Sequence, residues 1–339
     1  MNPSIQDSEP KRSLTSRRWL RRLGIGTGSF LALLLVLSCL GAIYQRLASA
    51  RDKRLNPPPG LLIDVGGYRM HLHCTGQGSP TVILDSGLSD SSLSWYKVQP
   101  EIAQFTRVCA YDRAGLGWSD PSPRLRESKV FAEELHTLLQ NAGVAPPFIL
   151  VGHSMGGFDV RIYASQYRAQ VAGLLLVDSP HPDLADRLPE LRTSLAAWSR
   201  QFERQRYLMP LGIPRILGWC GNGPPEMQSK LRRTECNLHR IQETLAECQS
   251  MWGASASEAR AAANLGNIPL VVLSEDPDKN VKAFLPEFER GQQELMHLSS
   301  NSSRMIALGS GHQIQRERPD AVVSATRAVM RMAAQPQLR

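Results

Sequence analysis

The sequence lacks several patterns that mark specialised classes of protein. Its 339 residues contain no internal repeat and no long low-complexity tract, which argues against a solenoid or a largely disordered chain. No Cys/His spacing resembles a zinc site. Apolar residues make up 42% of the chain, and this is ample for the core of one large domain or two modest ones.

The chain also has little net charge outside its amino-terminal region. The overall charge is +8, but ten of the 39 Lys/Arg and three of the 31 Asp/Glu lie in residues 1–54. The remaining residues therefore carry 29 basic against 28 acidic side chains and are close to neutral. Nucleic-acid binding would need a basic patch on the folded domain, so we expect no nucleic-acid partner.

Residues 23–44 contain no charged side chain, although basic residues flank them on both sides. As a helix this run would be about 33 Å long, enough to cross the hydrocarbon core of a bilayer. We predict a single transmembrane helix, preceded by a basic cytoplasmic tail (1–22). The alternative is an export signal cleaved at Ala48-Ser49-Ala50, which has the small-x-small form of a cleavage site.

The flanking charges indicate an orientation. Six Lys/Arg precede the apolar run within residues 11–22, and four follow it within residues 46–54. Positive residues remain in the cytoplasm, so the bias places the rest of the chain outside the cytoplasm, either anchored to the membrane or exported. The six cysteines do not settle the compartment, because the sequence does not say which of them pair.

The most informative motif is Gly152-His153-Ser154-Met155-Gly156. It follows an apolar run (148–151) that predicts a buried strand, and it precedes residues 158–167, which have helical spacing. A second apolar run, 171–178, predicts the next strand. Strand, sharp turn, helix and strand form a βαβ unit in which the turn exposes a serine at the carboxyl end of a parallel sheet.

The remaining pattern predicts a domain over residues 61–335, joined to the membrane segment by a linker (45–60) whose Asn56-Pro57-Pro58-Pro59-Gly60 is stiff and non-helical. We expect a helix over residues 95–103. Further strands are predicted at residues 61–65, 68–74, 81–84, 108–111, 271–274 and 305–308.

Four motifs at the ends of predicted strands together carry a resemblance to a known family. They are Ser86-Gly87-Leu88, Asp112-Arg113-Ala114-Gly115-Leu116-Gly117-Trp118-Ser119, Gly152-His153-Ser154-Met155-Gly156-Gly157 and Gly309-Ser310-Gly311-His312. Over about residues 61–335 the chain resembles the α/β-hydrolase superfamily. The resemblance implies an α/β fold with a mostly parallel eight-stranded sheet flanked by helices, and a helical lid inserted after strand six.

The insertion is also visible in the sequence itself. About ninety residues separate the strand ending at Asp178 from the next apolar run, and they contain no convincing strand. Residues 229–249 and 257–264 favour helices. We therefore predict a helical lid over about residues 181–267 that covers the pocket; the alternative is that the insertion merely thickens the fold.

The predicted chemistry is a Ser-His-Asp triad. Ser154 is the predicted nucleophile, and His312, in the flexible loop after residues 305–308, is the base that activates it. The acid that orients His312 has two candidates. Asp178 ends strand six, and Asp278 lies after residues 271–274, where most of the superfamily places its acid. We favour Asp178 because it is attached directly to a strand end.

The resemblance assigns the oxyanion hole to the backbone amides of Leu88 and Met155. His153 is expected to pack under the turn, and Asp112 and Arg113 are expected to be structural. The predicted reaction requires no cofactor and no metal.

The sequence thus predicts a membrane-attached serine hydrolase that cleaves an ester or related acyl bond of a small molecule. Perhydrolysis and carbon–carbon bond hydrolysis would use the same triad. A catalytically silent relative retained for binding is the alternative from another class. The oligomeric state is not determined by the sequence.

Overall fold

The computed structural model describes residues 14–279 and 284–335 of the chain. Of the predicted basic tail 1–22, residues 1–13 lie outside the described residues.

Eight strands form one sheet in the order β1-β2-β4-β3-β5-β6-β7-β8. The pairs β1·β2 and β2·β4 are antiparallel, and all the other neighbouring pairs are parallel. The strands are β1 Leu61–Asp64, β2 Arg69–Thr75, β3 Thr81–Asp85, β4 Val108–Tyr111, β5 Phe148–His153, β6 Val171–Val177, β7 Leu270–Glu275 and β8 Ser302–Ala307. The predicted mostly parallel eight-stranded sheet is therefore confirmed.

Helices cover both faces of this sheet. The α-helices of the described chain are α1 Leu14–Leu55, α2 Gln99–Ile102, α3 Ser128–Asn141, α4 Gly156–Gln166, α5 Leu184–Arg187, α6 Glu190–Leu208, α7 Ile213–Ile216, α8 Pro225–Glu235, α9 Leu238–Ser250, α10 Ala256–Ala261, α11 Leu285–Met296, α12 Ile314–Glu317 and α13 Pro319–Ala334.

The central strands are buried on both faces, as their nearly continuous apolar sequences predict. On one face they pack with Phe131 of α3 and Phe158 of α4, and on the other with Val322 and Val329 of α13. The carboxyl ends of β3 to β8 consequently meet at one edge of the sheet, and the loops that carry the predicted functional residues leave from that edge.

Two helices predicted within the domain are divided in the structure. In place of one helix over residues 95–103, the structure has a 3₁₀ turn at Ser92–Trp95 and then the short α2. Pro100 lies in the first turn of α2. Residues 229–249 are divided between α8 and α9. The break follows from Asn237, whose side chain accepts a hydrogen bond from the Arg240 amide at 2.9 Å and so caps the start of α9.

The amino-terminal helix is longer than predicted. Helix α1 runs from Leu14 to Leu55, so residues 45–55 of the predicted linker are helical and only the stretch from Asn56 to Gly60 is irregular. Its part from Trp19 to Leu55 is long and apolar enough to cross a membrane, and it is the one such helix in the described part of the chain.

Helices α5 to α10 form the insertion between β6 and β7, in the range predicted for the lid. A disulfide between Cys220 and Cys236 closes one loop of this insertion. A second disulfide, between Cys74 and Cys109, links the neighbouring strands β2 and β4. The covering role of the insertion stays a prediction.

A buried ion-pair network joins the insertion to the sheet. Arg113, after β4, donates from Nη1 to Asp85 Oδ1 at 2.9 Å and from Nε to Glu247 Oε1 of α9 at 2.7 Å. Arg126 donates to Glu243 of the same helix at 2.5 Å. All five side chains are at most 6% exposed. Charges removed from water in this way are tolerated only when they are paired, so α9 is held against the sheet.

Replacing Glu247 by Ala is expected to lower the free energy of unfolding by about 3–5 kcal/mol, because it leaves the buried Arg113 guanidinium without one of its partners. The matched control is Glu133→Ala, which removes a carboxylate paired with Arg124 at the surface and should cost about 0–1 kcal/mol. Urea unfolding in detergent measures both values. Equal losses for the two variants would contradict the structural role of the network.

Candidate active site

Ser154 lies on the sharp turn between β5 and α4. Its φ angle is +51°, in the left-handed region that side chains other than glycine rarely adopt. The Ser154 amide donates to Val177 O of β6 at 3.0 Å and fixes the turn against the sheet.

The flanking glycines make this turn possible. A Cβ atom on Gly152 would lie 2.4 Å from the carbonyl oxygen of Gly156, and a Cβ atom on Gly156 would lie 2.7 Å from the carbonyl oxygen of Ser86. Both distances are far below contact distance, so a side chain at Gly152 would force β5 and α4 apart, and one at Gly156 would force α4 away from the end of β3.

Asp178 leaves the sheet beside Ser154. His153 of β5 pairs with Val177 of β6, so the next residue of each strand, Ser154 and Asp178, emerges at the same level of the sheet edge. Asp178 also has a left-handed backbone, with φ +46°, and its side chain is fully buried. Its Oδ1 atom accepts a hydrogen bond from the Glu275 amide at 2.9 Å.

The other carboxylate oxygen of Asp178 holds His312. The distance between His312 Nδ1 and Asp178 Oδ2 is 2.6 Å. Burial alone would lower the pKa of His312, but the hydrogen bond to Asp178 and its negative charge outweigh burial and raise the pKa above the usual 6.5. The ring remains 47% exposed, towards the cavity. It is thus both oriented and accessible.

Asp278, the alternative acid, lies elsewhere. It is exposed on the short 3₁₀ turn Pro277–Lys279, and its amide donates to Asp276 Oδ1 at 3.0 Å. The carboxylate that the structure brings to His312 is that of Asp178.

His153 packs beneath these groups. Its Nε2 atom is 2.9 Å from the carbonyl oxygen of His312, and Gln315 Nε2 is 3.3 Å from its Nδ1 atom. Burial, together with the neighbouring His312, holds the pKa of His153 well below 6.5, so the ring is neutral. A neutral ring with its proton on Nε2 donates to the His312 carbonyl and supports the loop that carries His312.

The loop after β3 brings Leu88 to the same place. A Cβ atom on the preceding residue, Gly87, would lie 3.2 Å from Ser154 Cβ, so this loop runs directly beside the serine. Met155, the other predicted oxyanion residue, immediately precedes α4 and is fully buried. The two predicted amides therefore belong to backbone segments on either side of Ser154.

Arg113 holds that loop in position. Its Nη1 atom donates to Ser86 O at 2.6 Å and its Nη2 atom to Gly87 O at 2.7 Å. Glu247 completes the arrangement, because its Oε2 atom accepts from the Ser89 amide at 2.7 Å. Arg113 is structural as expected, but the part played by Glu247 was not predicted, since nothing distinguishes it from other polar residues of an amphipathic helix.

Ser154, Asp178 and His312 line one cavity of about 410 Å³. The rest of its wall is mainly apolar and includes Leu184, Leu191, Met251 and Trp252 of the insertion, together with Phe284 and Phe288 near α11. Within residues 14–279 and 284–335, no three His, Cys, Asp or Glu side chains are grouped so that they could hold a metal ion.

Comparisons with known proteins agree with this architecture. The family model of the alpha/beta hydrolase fold matches residues 80–266. The protein YqjL of Bacillus subtilis is 25% identical over 260 residues, which cover 76% of this chain and 87% of YqjL.

Solved structures with the same fold include enzymes of different activities. A thermophilic esterase from Thermogutta terrifontis superimposes with a TM-score of 0.58 at 23% identity, covering 81% of this chain and 99% of the esterase. The epoxide hydrolase CorEH superimposes with a TM-score of 0.54 at 20% identity, covering 78% and 94%. At these identities the likeness concerns the fold alone. With its family model matched over more than half its length, the chain belongs to the alpha/beta hydrolase fold family.

Proposed function

We propose that this hydrolase is a serine hydrolase that cleaves an ester or a related acyl bond of a small molecule. The observation that carries the proposal is the convergence of Ser154, on a left-handed turn, and the His312–Asp178 pair on one largely apolar cavity. A nucleophile, a base and an orienting acid are the groups that acyl transfer requires.

In the proposed reaction the Ser154 oxygen forms a bond with the carbonyl carbon while His312 Nε2 takes the hydroxyl proton. Asp178 accepts from Nδ1–H, holds the imidazole in the required tautomer and stabilises its charged form. The tetrahedral intermediate collapses when the carbon–oxygen bond to the leaving group breaks and His312 returns the proton to that oxygen. Water, deprotonated by His312, then attacks the acyl-enzyme and releases the acid and Ser154.

The amides of Leu88 and Met155 are the proposed donors to the oxyanion that forms in these steps. Met155 also stands at the amino end of α4, where the helix dipole favours negative charge. Arg113 and Glu247 act indirectly, because they hold the loop of Leu88 and do not contact the reacting atoms.

The cavity wall indicates the class of substrate. Leucine, methionine, tryptophan and phenylalanine side chains surround the serine, so an ester with an apolar acyl or alcohol group would bury that group on binding. Epoxide hydrolysis or dehalogenation with a carboxylate nucleophile is disfavoured, because a serine stands on the turn.

We further propose that α1 is retained as a membrane anchor. Cleavage after Ala50 would remove Gln45, which is 8% exposed and donates to the Cys236 carbonyl at 2.9 Å. The two disulfides are typical of an oxidising compartment and agree with a hydrolase domain outside the cytoplasm.

The nucleophile is tested with a fluorophosphonate, which phosphorylates an activated serine with loss of fluoride. The wild-type protein should be labelled and Ser154→Ala should not, because Ser154 is the serine among the described residues that line the cavity of the His312–Asp178 pair. Ser300→Ala, which changes an exposed serine, is the control and should label like the wild type. Equal labelling of Ser154→Ala would disprove the assignment.

The acid is tested by two matched substitutions. Asp178→Asn should lower kcat by about 10³–10⁴-fold, because an amide no longer holds the imidazole in the productive tautomer. Asp278→Asn should have a far smaller effect, since Asp278 is exposed on another turn. Turnover of a soluble p-nitrophenyl ester measures both variants, and the reverse ranking would transfer the role to Asp278.

The pH dependence follows from His312, which acts as a base only when it is neutral. Because Asp178 raises its pKa, kcat/KM should fall as the pH decreases, with a midpoint above 6.5. In Asp178→Asn the raising charge is lost, so the midpoint of the residual activity should move to lower pH. A midpoint that is the same in both proteins would show that another group controls the rate.

A further inference from the structure

An apolar surface lies on the insertion, away from the catalytic cavity. Among the described residues outside α1, nine large apolar side chains are exposed, and five of them fall in the short stretch 198–219. Four belong to a single segment, which we define as the apolar segment (207–219). They are Tyr207 at 68% exposure, Ile216 at 64%, Leu217 at 55% and Trp219 at 48%.

Near its own amino end, the apolar segment is in contact with α1. A Cβ atom on Gly41 would lie 2.4 Å from the carbonyl oxygen of Leu211, so the two backbones are in direct contact there. The next residue of the segment, Gly212, lies against the ring of Tyr44. Gly41 and Tyr44 both belong to the last turn of the charge-free run 23–44.

The carboxyl end of the apolar segment is held beside the same part of α1. Trp219 precedes Cys220, which is joined by a disulfide to Cys236. The carbonyl of Cys236 accepts a hydrogen bond from Gln45 Nε2, one residue beyond Tyr44. Both ends of the stretch 211–220 are therefore held beside residues 41–45 of α1, and the exposed side chains between them cannot lie far from that level.

This level is where the proposed membrane anchor leaves the bilayer. Residues 19–37 of α1 are exposed along their whole length. The charge-free run would span about 33 Å as a helix, and the hydrocarbon core is about 30 Å thick. If the run fills the core, residues 41–45 stand at the boundary between acyl chains and headgroups.

The chemistry of the apolar segment suits this boundary. Tryptophan and tyrosine are enriched there because one part of each ring is apolar and another is polar. The one charged residue of the segment, Arg215, is paired with Asp52 of α1 at 2.5 Å. The exposed basic residue that follows at this level of α1, Arg46, would face lipid phosphates.

We infer that residues 207–219 dock onto the phospholipid leaflet from which α1 emerges, with Ile216, Leu217 and Trp219 at the boundary of headgroups and acyl chains. This inference rests on the proposed anchoring by α1. It gives the hydrolase domain a second attachment to the membrane. A single membrane helix can tilt in the bilayer and carry the attached domain with it, whereas a second contact on the same leaflet limits that tilt.

The test uses the full-length protein labelled with 5-fluorotryptophan, reconstituted as one chain per phospholipid nanodisc. The six tryptophans are assigned in ¹⁹F NMR spectra by single Trp→Phe substitutions. Spin-labelled phospholipid is then added. The Trp219 signal should be lost, whereas Trp95 and Trp118, which are buried in the hydrolase domain, should keep theirs.

Two controls separate the possible failures. Trp19, on α1 just before the charge-free run, reports on the anchor, and a tryptophan introduced by Leu125→Trp reports on an exposed position that belongs neither to α1 nor to the apolar segment. If the Trp19 signal is lost and the Trp219 signal stays sharp, the docking of residues 207–219 is disproved and the anchoring by α1 is supported. Sharp signals from both would overturn the anchor and the surface together. If the Trp219 signal is kept only when two chains share a disc, the surface binds a second copy of the chain instead of the membrane.

Discussion

The site depends on the close approach of β5 and α4 at Ser154. Between Gly152 and Gly156 there is room for hydrogen atoms only, and this lets the strand turn into a helix with the serine at the apex. The turn is stabilised from outside by the bond between the Ser154 amide and Val177. Since Val177 also precedes Asp178, one pair of neighbouring strands sets the positions of both Ser154 and Asp178.

The second constraint is the buried charge of Arg113. Its guanidinium binds the carbonyls of Ser86 and Gly87 and also Glu247 of the insertion. The same side chain therefore holds both the loop beside Ser154 and helix α9. An insertion held by buried ion pairs differs from one that lies loosely on the surface. Movements of α9 would disturb the loop that carries Leu88, which couples the shape of the insertion to the geometry of the proposed oxyanion donors.

The insertion also connects the site with α1. Its helix α9 is bound to the sheet through Glu243 and Glu247, while the stretch 211–220 is bound to α1 through Leu211 and the Cys220–Cys236 disulfide. A single inserted unit thus lines the cavity of Ser154 and His312, contacts the amino-terminal helix and presents an apolar surface beside it. In a membrane-attached enzyme this arrangement would relate the orientation of the domain on the bilayer to the placement of its cavity.

The local pattern of the sequence determined the strands, the serine turn and the charge-free run, because each depends on neighbouring residues: apolar runs of strand length, glycines at a crowded turn, and 22 residues without charge. The choice of His312 depended on chain order and on a family resemblance, and the choice of Asp178 on its attachment to a strand end. Only the tertiary structure paired the two side chains at 2.6 Å. The pairing of Arg113 with Glu247, 134 residues away, and the contact of α1 with residues 211–220 could not be predicted. These contacts join segments distant in the chain, and their energies arise from burial and charge pairing, which no local pattern of residues encodes.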